Sequence, residues 1–451
     1  MARSLEPVGS VADAARRPRP VWRSERTYIV ATIAGVVGLG NLWRFPYMAG
    51  RHGGGDFLVS YVACVVVIAV PLAAVESAAG SLVRRSPVGA HRRANARIGP
   101  LIGWSVIGLT TVILSYYFVI TGWTLGYFLE ALRGDVRLFA DFTAGMASLW
   151  LFLAVAVLVF AVLIRGVATV ERASLALVPA LIVIVIGLAV FAQTLDGASE
   201  GRAFLLDSTS DGLTDTATWR AAAGQAFYSV GIGQGVLIAY GSYVPAGTNL
   251  VRSTAVVALS NALVSIVSAV MVFGVVFAFG ISPTAGAELS FTAFPRVFAE
   301  IAGGDVLAVG FFALLFLAGF TSCVGGAVVV MSAVRDETGL GTRPGALITA
   351  GVITVLGIPS ALSFTSVGFS VDGEPFLDRV DQFTGSGAIV VLGLVGAAML
   401  ARRLPRRALT ASFGADAMPF GRWTVGPQSM IRWAGALPLA AAIAYGWGHV
   451  G

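Results

Sequence analysis

Charge is scarce in this chain and of one basic kind. Acidic and basic residues make up 12% of 451 residues, and all 30 basic ones are arginine, so lysine is absent. Together with 57% apolar residues and a mean hydropathy of +0.84, this excludes a solvated or disordered chain and points to many membrane spans. Two cysteines, Cys64 and Cys323, both lie in apolar runs, which excludes a disulfide framework and reads as buried thiols. Three histidines are scattered without ligand spacing, so the sequence offers no metal cluster. Nucleophile, base and orienter do not occur together, which argues against an enzyme. The polar leader up to Glu25 runs straight into a full-length apolar span and carries no cleavable signal.

What the chain does have is long apolar runs. Eleven spans are expected, at about 28–50, 56–80, 99–130, 147–164, 173–193, 221–243, 254–280, 305–333, 345–363, 382–401 and 428–449. Arginine placement orients them. With a cytoplasmic N-terminus, 22 of the 30 arginines fall on the cytoplasmic side or its helix ends, among them Arg84, Arg85, Arg92, Arg93, Arg97 and Arg402 to Arg407. This positive-inside bias predicts a multi-pass protein of the cell (inner) membrane. The pI near 9.7 then calls for no nucleic-acid partner. Residues 1–26 read as a cytoplasmic N-terminal segment, 27–193 and 221–401 as two halves of five spans each, and 402–451 as a cytoplasmic loop with a peripheral helix. The stretch 194–220, rich in Asp, Ser, Thr and Gly, reads as an extracellular loop. Residues 281–304, with Phe291 to Phe298, are expected to form short helices dipping toward the core.

Two spans contain residues that a helix tolerates poorly. The first carries Gly35-Val36-Val37-Gly38-Leu39-Gly40-Asn41-Leu42-Trp43-Arg44-Phe45-Pro46-Tyr47. Each interior glycine costs about 1 kcal/mol relative to alanine, and an arginine at membrane depth costs about 2.5 kcal/mol or more. The sixth carries Ser229-Val230-Gly231-Ile232-Gly233-Gln234-Gly235. Non-helical backbone survives in a membrane only where protein or a water-filled cavity receives its polar groups. Paired interruptions at matching places in two halves therefore point to a transporter's midplane site, and an odd number of spans per half inverts the second half. No strand precedes the GxGxG run, so a nucleotide loop does not fit.

Further motifs are Gly53-Gly54-Gly55 leading to Tyr61, Tyr116-Tyr117 with Trp123-Thr124-Leu125-Gly126, Gly224-Gln225-Ala226-Phe227-Tyr228-Ser229, and Ala318-Gly319-Phe320-Thr321-Ser322. With these, the chain closely resembles the neurotransmitter:sodium symporter family over nearly its whole length. The resemblance implies an all-α membrane protein of two inverted five-helix repeats with broken helices 1 and 6. It implies sodium-coupled symport of an amino acid by alternating access, as a monomer or weak dimer in lipid. A non-transporting amino-acid sensor on the same fold is the alternative.

The resemblance also assigns residues. One sodium would use Val36, Asn41, Ser229 and Asn261 with the substrate carboxylate; the second would use Ala34, Val37, Ala318, Thr321 and Ser322. Glycine at 38, where amine transporters carry aspartate, implies a substrate bringing its own carboxylate, held by the amides of Leu39 and Gly40 and by Tyr117. Ile113, Tyr117, Tyr228, Gly231, Gln234, Ser322 and Gly326 would bound the side-chain pocket, with Gly231 and Gly326 leaving room for a bulky apolar or aromatic group. Ser265, four residues after Asn261, matches the chloride-dependent pattern, with Tyr61, Gln225 and Ser229 as co-ligands. Arg44 and Asp381 would form the outer gate, and Arg19 and Asp336 the inner gate with Trp22 as its plug. One departure stands out: the glycine expected ten residues before the proline of span five is Thr169, ahead of Pro179.

Overall fold

The computed structural model describes residues 21–208, 210–284, 291, 294–301, 303–413, 418–420 and 423–425, and positions 429, 432, 433 and 436. Arg19 and nearly all of the expected eleventh span, 428–449, lie outside the described residues.

The chain enters at α1 (Glu25–Val36), where Ser24 accepts from the Thr27 amide and Thr27 reciprocates on the Ser24 amide, a capping box. Val37 is extended, a π-turn spans Gly40–Arg44, and α2 (Phe45–Arg51) continues after a bend of 57°. Next, α3 (Gly55–Cys64), a π-turn over Val65–Ala69 and α4 (Val70–Val83) form one span of 29 residues. Pro71 has no amide for the carbonyl of Val67, and the Trp433 indole donates to that carbonyl at 2.7 Å. The short α5 (Pro87–Ala94) leads into α6 (Gly99–Ala131), then α7 (Phe139–Thr143), α8 (Ala147–Leu163) and α9 (Val167–Ala192) complete the first half.

The second half begins after α10 (Ala198–Leu206) and α11 (Ser210–Thr214). These two helices correct the expectation of an irregular loop at 194–220. Gly201 of α10 packs directly on the Phe273 carbonyl, where a Cβ would come within 2.5 Å, and Phe204 meets Phe273 edge-on and Phe277 at a tilt. The broken span comprises α12 (Thr216–Val230) and α13 (Val236–Gly241); the Ala217 and Thr218 amides at its N-cap hold the Asp215 carboxyl below its usual range. Then come α14 (Leu250–Ala278), the short α15 (Phe294–Glu300), α16 (Gly304–Thr338) and α17 (Thr342–Leu362). Finally α18 (Phe376–Asp381), a π-turn over Gln382–Ala388 and α19 (Ile389–Arg403) make the tenth span, and α20 (Arg406–Phe413) follows. A two-stranded hairpin, β1 (Ser370–Val371) and β2 (Glu374–Pro375), turns at Asp372-Gly373, both with positive φ.

Among the described residues, seven helices and the bent α1–α2 pair are long and apolar enough to cross a membrane. With α8 and the broken α12–α13 they make two sets of five, each opened by a broken helix. The core of the first set is α6, packed along α16 of the second, and α1 lies between α16, α9 and α14. Both interruptions thus face each other across the middle of the bundle.

Candidate substrate and ion site

The first break is made by side chains capturing backbone amides. In a continued helix the amides of Gly38 and Leu39 would bond to the carbonyls of Ala34 and Gly35. Instead Gly38 donates to Asn41 Oδ1 at 3.0 Å and Leu39 donates to the Tyr117 hydroxyl at 2.8 Å. Those two carbonyls are thereby released from the helix ladder. Gly38 has to be glycine here, since a Cβ would lie 2.4 Å from Ser322 Oγ and 2.5 Å from Tyr117 Oη.

The second break uses glycine conformation. Gly231, Gly233 and Gly235 have φ of 76°, 79° and 73°, a region that L side chains rarely adopt. The freed groups are taken up by neighbours: the Gly233 amide donates to the buried carboxylate of Glu76 at 3.1 Å, and Thr110 donates to the Gln234 carbonyl at 2.7 Å. Gln234 Nε2 in turn donates to the Tyr228 carbonyl at 3.2 Å. A Cβ on Gly233 would sit 2.7 Å from Gly393, so α19 presses on this break from behind.

Between the breaks lies a cavity with about 40 Å³ of room for the centres of water-sized molecules. Of the ten residues expected to hold a substrate, nine line it, namely Gly38, Gly40, Ile113, Tyr117, Tyr228, Gly231, Gln234, Ser322 and Gly326. Leu39 is buried behind and contributes its amide through Tyr117. Sequence reasoning missed Thr110 and Leu114, both on the lining face of α6. Leu114 also corrects the expectation that Gly326 leaves space. Its side chain fills that volume, with Cδ2 2.7 Å from where a Gly326 Cβ would be. A ligand side chain reaches the space over Gly326 only when Leu114 rotates away.

Several of the residues expected around the ions are hydrogen-bonded to one another. Asn41 Nδ2 donates to the Asn261 carbonyl at 3.1 Å, to Asn261 Oδ1 at 2.9 Å and to Ser265 Oγ at 2.8 Å. The Tyr61 hydroxyl is 3.1 Å from Ser229 Oγ and 3.5 Å from Ser265 Oγ. Gln225 donates to the Gly40 carbonyl at 2.7 Å. On the other side of α1, Ser322 Oγ donates to the Val37 carbonyl at 3.2 Å and Thr321 Oγ1 to the Ala318 carbonyl at 3.1 Å. Val36 lines the cavity with Ser229, and Ala34 carries one of the two released carbonyls.

The residues expected at the two gates lie at opposite ends of the broken helices. Arg44, 5% exposed, donates to Gln225 Oε1 at 2.5 Å and lies over the Tyr228 ring at 5.0 Å. The Tyr228 ring covers Gly40, where a Cβ would meet it at 2.8 Å. At the opposite end Trp22 is buried against Tyr240 and Tyr243, with ring centroids 5.3 and 5.8 Å apart. Asp336 accepts from the Ser86 amide at 2.6 Å. Near Thr169 the helix α9 is unbroken from Val167 through Pro179 to Ala192.

Comparison with known proteins agrees with this geometry. The profile described as "Sodium:neurotransmitter symporter family" matches residues 19–139 and 132–404. An uncharacterized sodium-dependent transporter, YhdH of Bacillus subtilis, is 31% identical over 392 residues, 83% of this chain and 86% of that protein. The mouse sodium-dependent neutral amino acid transporter B(0)AT3 is 27% identical over 313 residues, 61% of this chain and 50% of that one. The crystal structure of MhsT in complex with L-phenylalanine matches with a TM-score of 0.83 at 29% identity, covering 95% of this chain and 99% of that one.

Glu76 gives the first test. Glu76→Leu leaves the Gly233 amide without its acceptor, at a cost of about 1–3 kcal/mol, whereas Glu76→Gln keeps an acceptor oxygen. Thermal unfolding in detergent should fall clearly for the leucine variant and much less for the glutamine one. Equal melting of both with the parent would show that the carboxylate does not support the break.

Proposed function

From the premise that the chain belongs to the sodium:neurotransmitter symporter family, which comprises sodium-dependent transporters, we propose that it imports an amino acid together with sodium by alternating access. The substrate is bulky and apolar or aromatic. The observation that carries this reading is the meeting of two broken helices at one small cavity overlain by Tyr228. Broken backbone supplies carbonyls and amides at membrane depth, and these are what a zwitterion and a small cation need. With N-terminus and inner gate in the cytoplasm and the chain in the cell's inner membrane, the Arg44 side faces outward.

Gly38 leaves no acid in the cavity to meet an amine, so the substrate brings its own carboxylate. That group takes the Tyr117 hydroxyl and the amides of Leu39 and Gly40, and its ammonium rests on carbonyls of the broken helices. Leu114 rotates from Gly326 to admit the side chain. MhsT is titled as a complex with L-phenylalanine and B(0)AT3 as a neutral amino acid transporter, which favours an uncharged side chain. Sodium at the first site joins the carboxylate to Val36, Asn41, Ser229 and Asn261. The second sodium ties Ala34 and Val37 of α1 to Ala318, Thr321 and Ser322 of α16, so occupancy draws the two halves together. In proteoliposomes, uptake of the twenty amino acids should depend on a sodium gradient, with aromatic ones foremost. Asn41→Ala should weaken sodium and substrate binding together, because linkage is reciprocal; undiminished substrate affinity in this variant would contradict the shared site.

Chloride is the counter-ion in this reading. Tyr61, Ser229, Ser265 and Asn41 form one hydrogen-bonded cluster, Gln225 adjoins it through Gly40 and Arg44, and Ser265 stands where a carboxylate would otherwise supply negative charge. Two sodium ions and a zwitterion leave two positive charges, and an anion about 5 Å from one sodium contributes about 3 kcal/mol at an effective dielectric of 20. Replacing chloride by gluconate should lower uptake, and Ser265→Glu should restore it without chloride. Equal parental uptake in both media across a range of pH would remove chloride from the mechanism.

A further inference from the structure

The segment Trp22 to Glu25 is tied to three helices at once. Trp22 donates its backbone amide to the Tyr243 carbonyl at 2.8 Å and its indole N–H to the Tyr240 carbonyl at 3.1 Å, both at the end of α13. Glu25 accepts from Ser253 of α14 at 2.8 Å. Arg23 reaches the third helix, its Nε lying 3.8 Å from Glu171 Oε1 on α9. The two partners of this last contact are unlike. The Arg23 side chain is 73% exposed and that of Glu171 only 5%. Among the described residues, Glu171 Oε1 has no hydrogen-bond partner, and Arg23 is the cation this buried oxygen faces.

We propose that Glu171 is a positioning residue of the inner gate, whose buried carboxylate holds the 22–25 strap against α9 through Arg23 and so keeps the Trp22 plug seated. This deepens the transport reading above and rests on it for the direction of opening. The contact has the properties a latch requires. Water competes for the exposed guanidinium, so the pair is weak enough to release. One carboxylate oxygen of Glu171 is buried, so losing Arg23 leaves that oxygen without an opposite charge until the inner route opens and water arrives. The first turn of α9 is helical, with the Thr169 amide on the Gly166 carbonyl at 3.0 Å, and Thr169 offers none of the freedom a glycine would give. With that helix start firm, the strap is the part left to move, and Glu171 lies two residues beyond Thr169.

The test reads exposure of the surface beneath Trp22. Ser242, buried between Tyr240 and Tyr243, is replaced by cysteine in full-length protein in which Cys64→Ala and Cys323→Ala remove the native thiols, and its labelling by a water-soluble maleimide is timed in proteoliposomes. Glu171→Gln and Arg23→Gln should each raise the labelling rate about two- to fivefold. The exchanged pair Arg23→Glu with Glu171→Arg should return it close to the parent, a rescue that a purely structural role of either residue would not give. Arg23→Gln alters an exposed side chain, so it stays informative even if Glu171→Gln disturbs folding. Parental labelling in both single variants, or an exchanged pair that labels like the singles, would overturn the latch. Sodium-driven uptake by the parent is measured alongside: its presence with unaltered labelling overturns the latch alone, and its absence counts against the transport reading while labelling still decides the latch.

Discussion

Backbone polar groups inside a membrane must find partners within the protein, and this governs the molecule. A helix meets the requirement with its own ladder. Wherever this chain leaves the ladder, something specific arrives to replace it: Asn41 and Tyr117 at the first break, Glu76 and Thr110 at the second. The breaks are therefore built features held in place by side chains from α4 and α6. They leave over the carbonyls of Ala34 and Gly35, of which the proposed second sodium would use that of Ala34.

The same economy bears on the proposed binding of ions and substrate in one place. A cavity of this size, walled by Gly38, Gly40 and Gly231 and overlain by Tyr228 and Arg44, has almost no fixed charge of its own. Binding a charged ion alone in such a place is costly. In the proposed reading, cation, zwitterion and anion offset one another's fields, so each improves the site for the next.

How much of this was readable beforehand depended on how local each cause is. The breaks were legible because glycine, asparagine and arginine inside an apolar run violate helix and membrane preferences at adjacent positions. The ligand positions followed from the resemblance, and nine of ten substrate residues do line one cavity. Glu76 was not legible: a single acid in span two carries no periodic or motif signal, and its partner Gly233 is 157 residues away. Leu114 looked like any leucine of a buried helix until Gly326 was found beneath it. The helices within 194–220 were hidden by a composition rich in turn-forming residues, because their stability comes from packing, α10 on α14 and α11 on α3. Asp372-Gly373 was a readable hairpin signal, an Asp-Gly pair between short β-prone stretches, overlooked among longer apolar runs.

The central claim is that one site binds sodium and amino acid as a coupled set. Its most direct measurement is calorimetric titration of the purified protein with L-phenylalanine at a series of sodium concentrations, ionic strength being held constant with choline. The account predicts that affinity rises steeply with sodium, with a slope above one when the logarithm of affinity is plotted against that of sodium well below saturation, and that binding is lost in choline alone. Affinity independent of sodium across the series would contradict it.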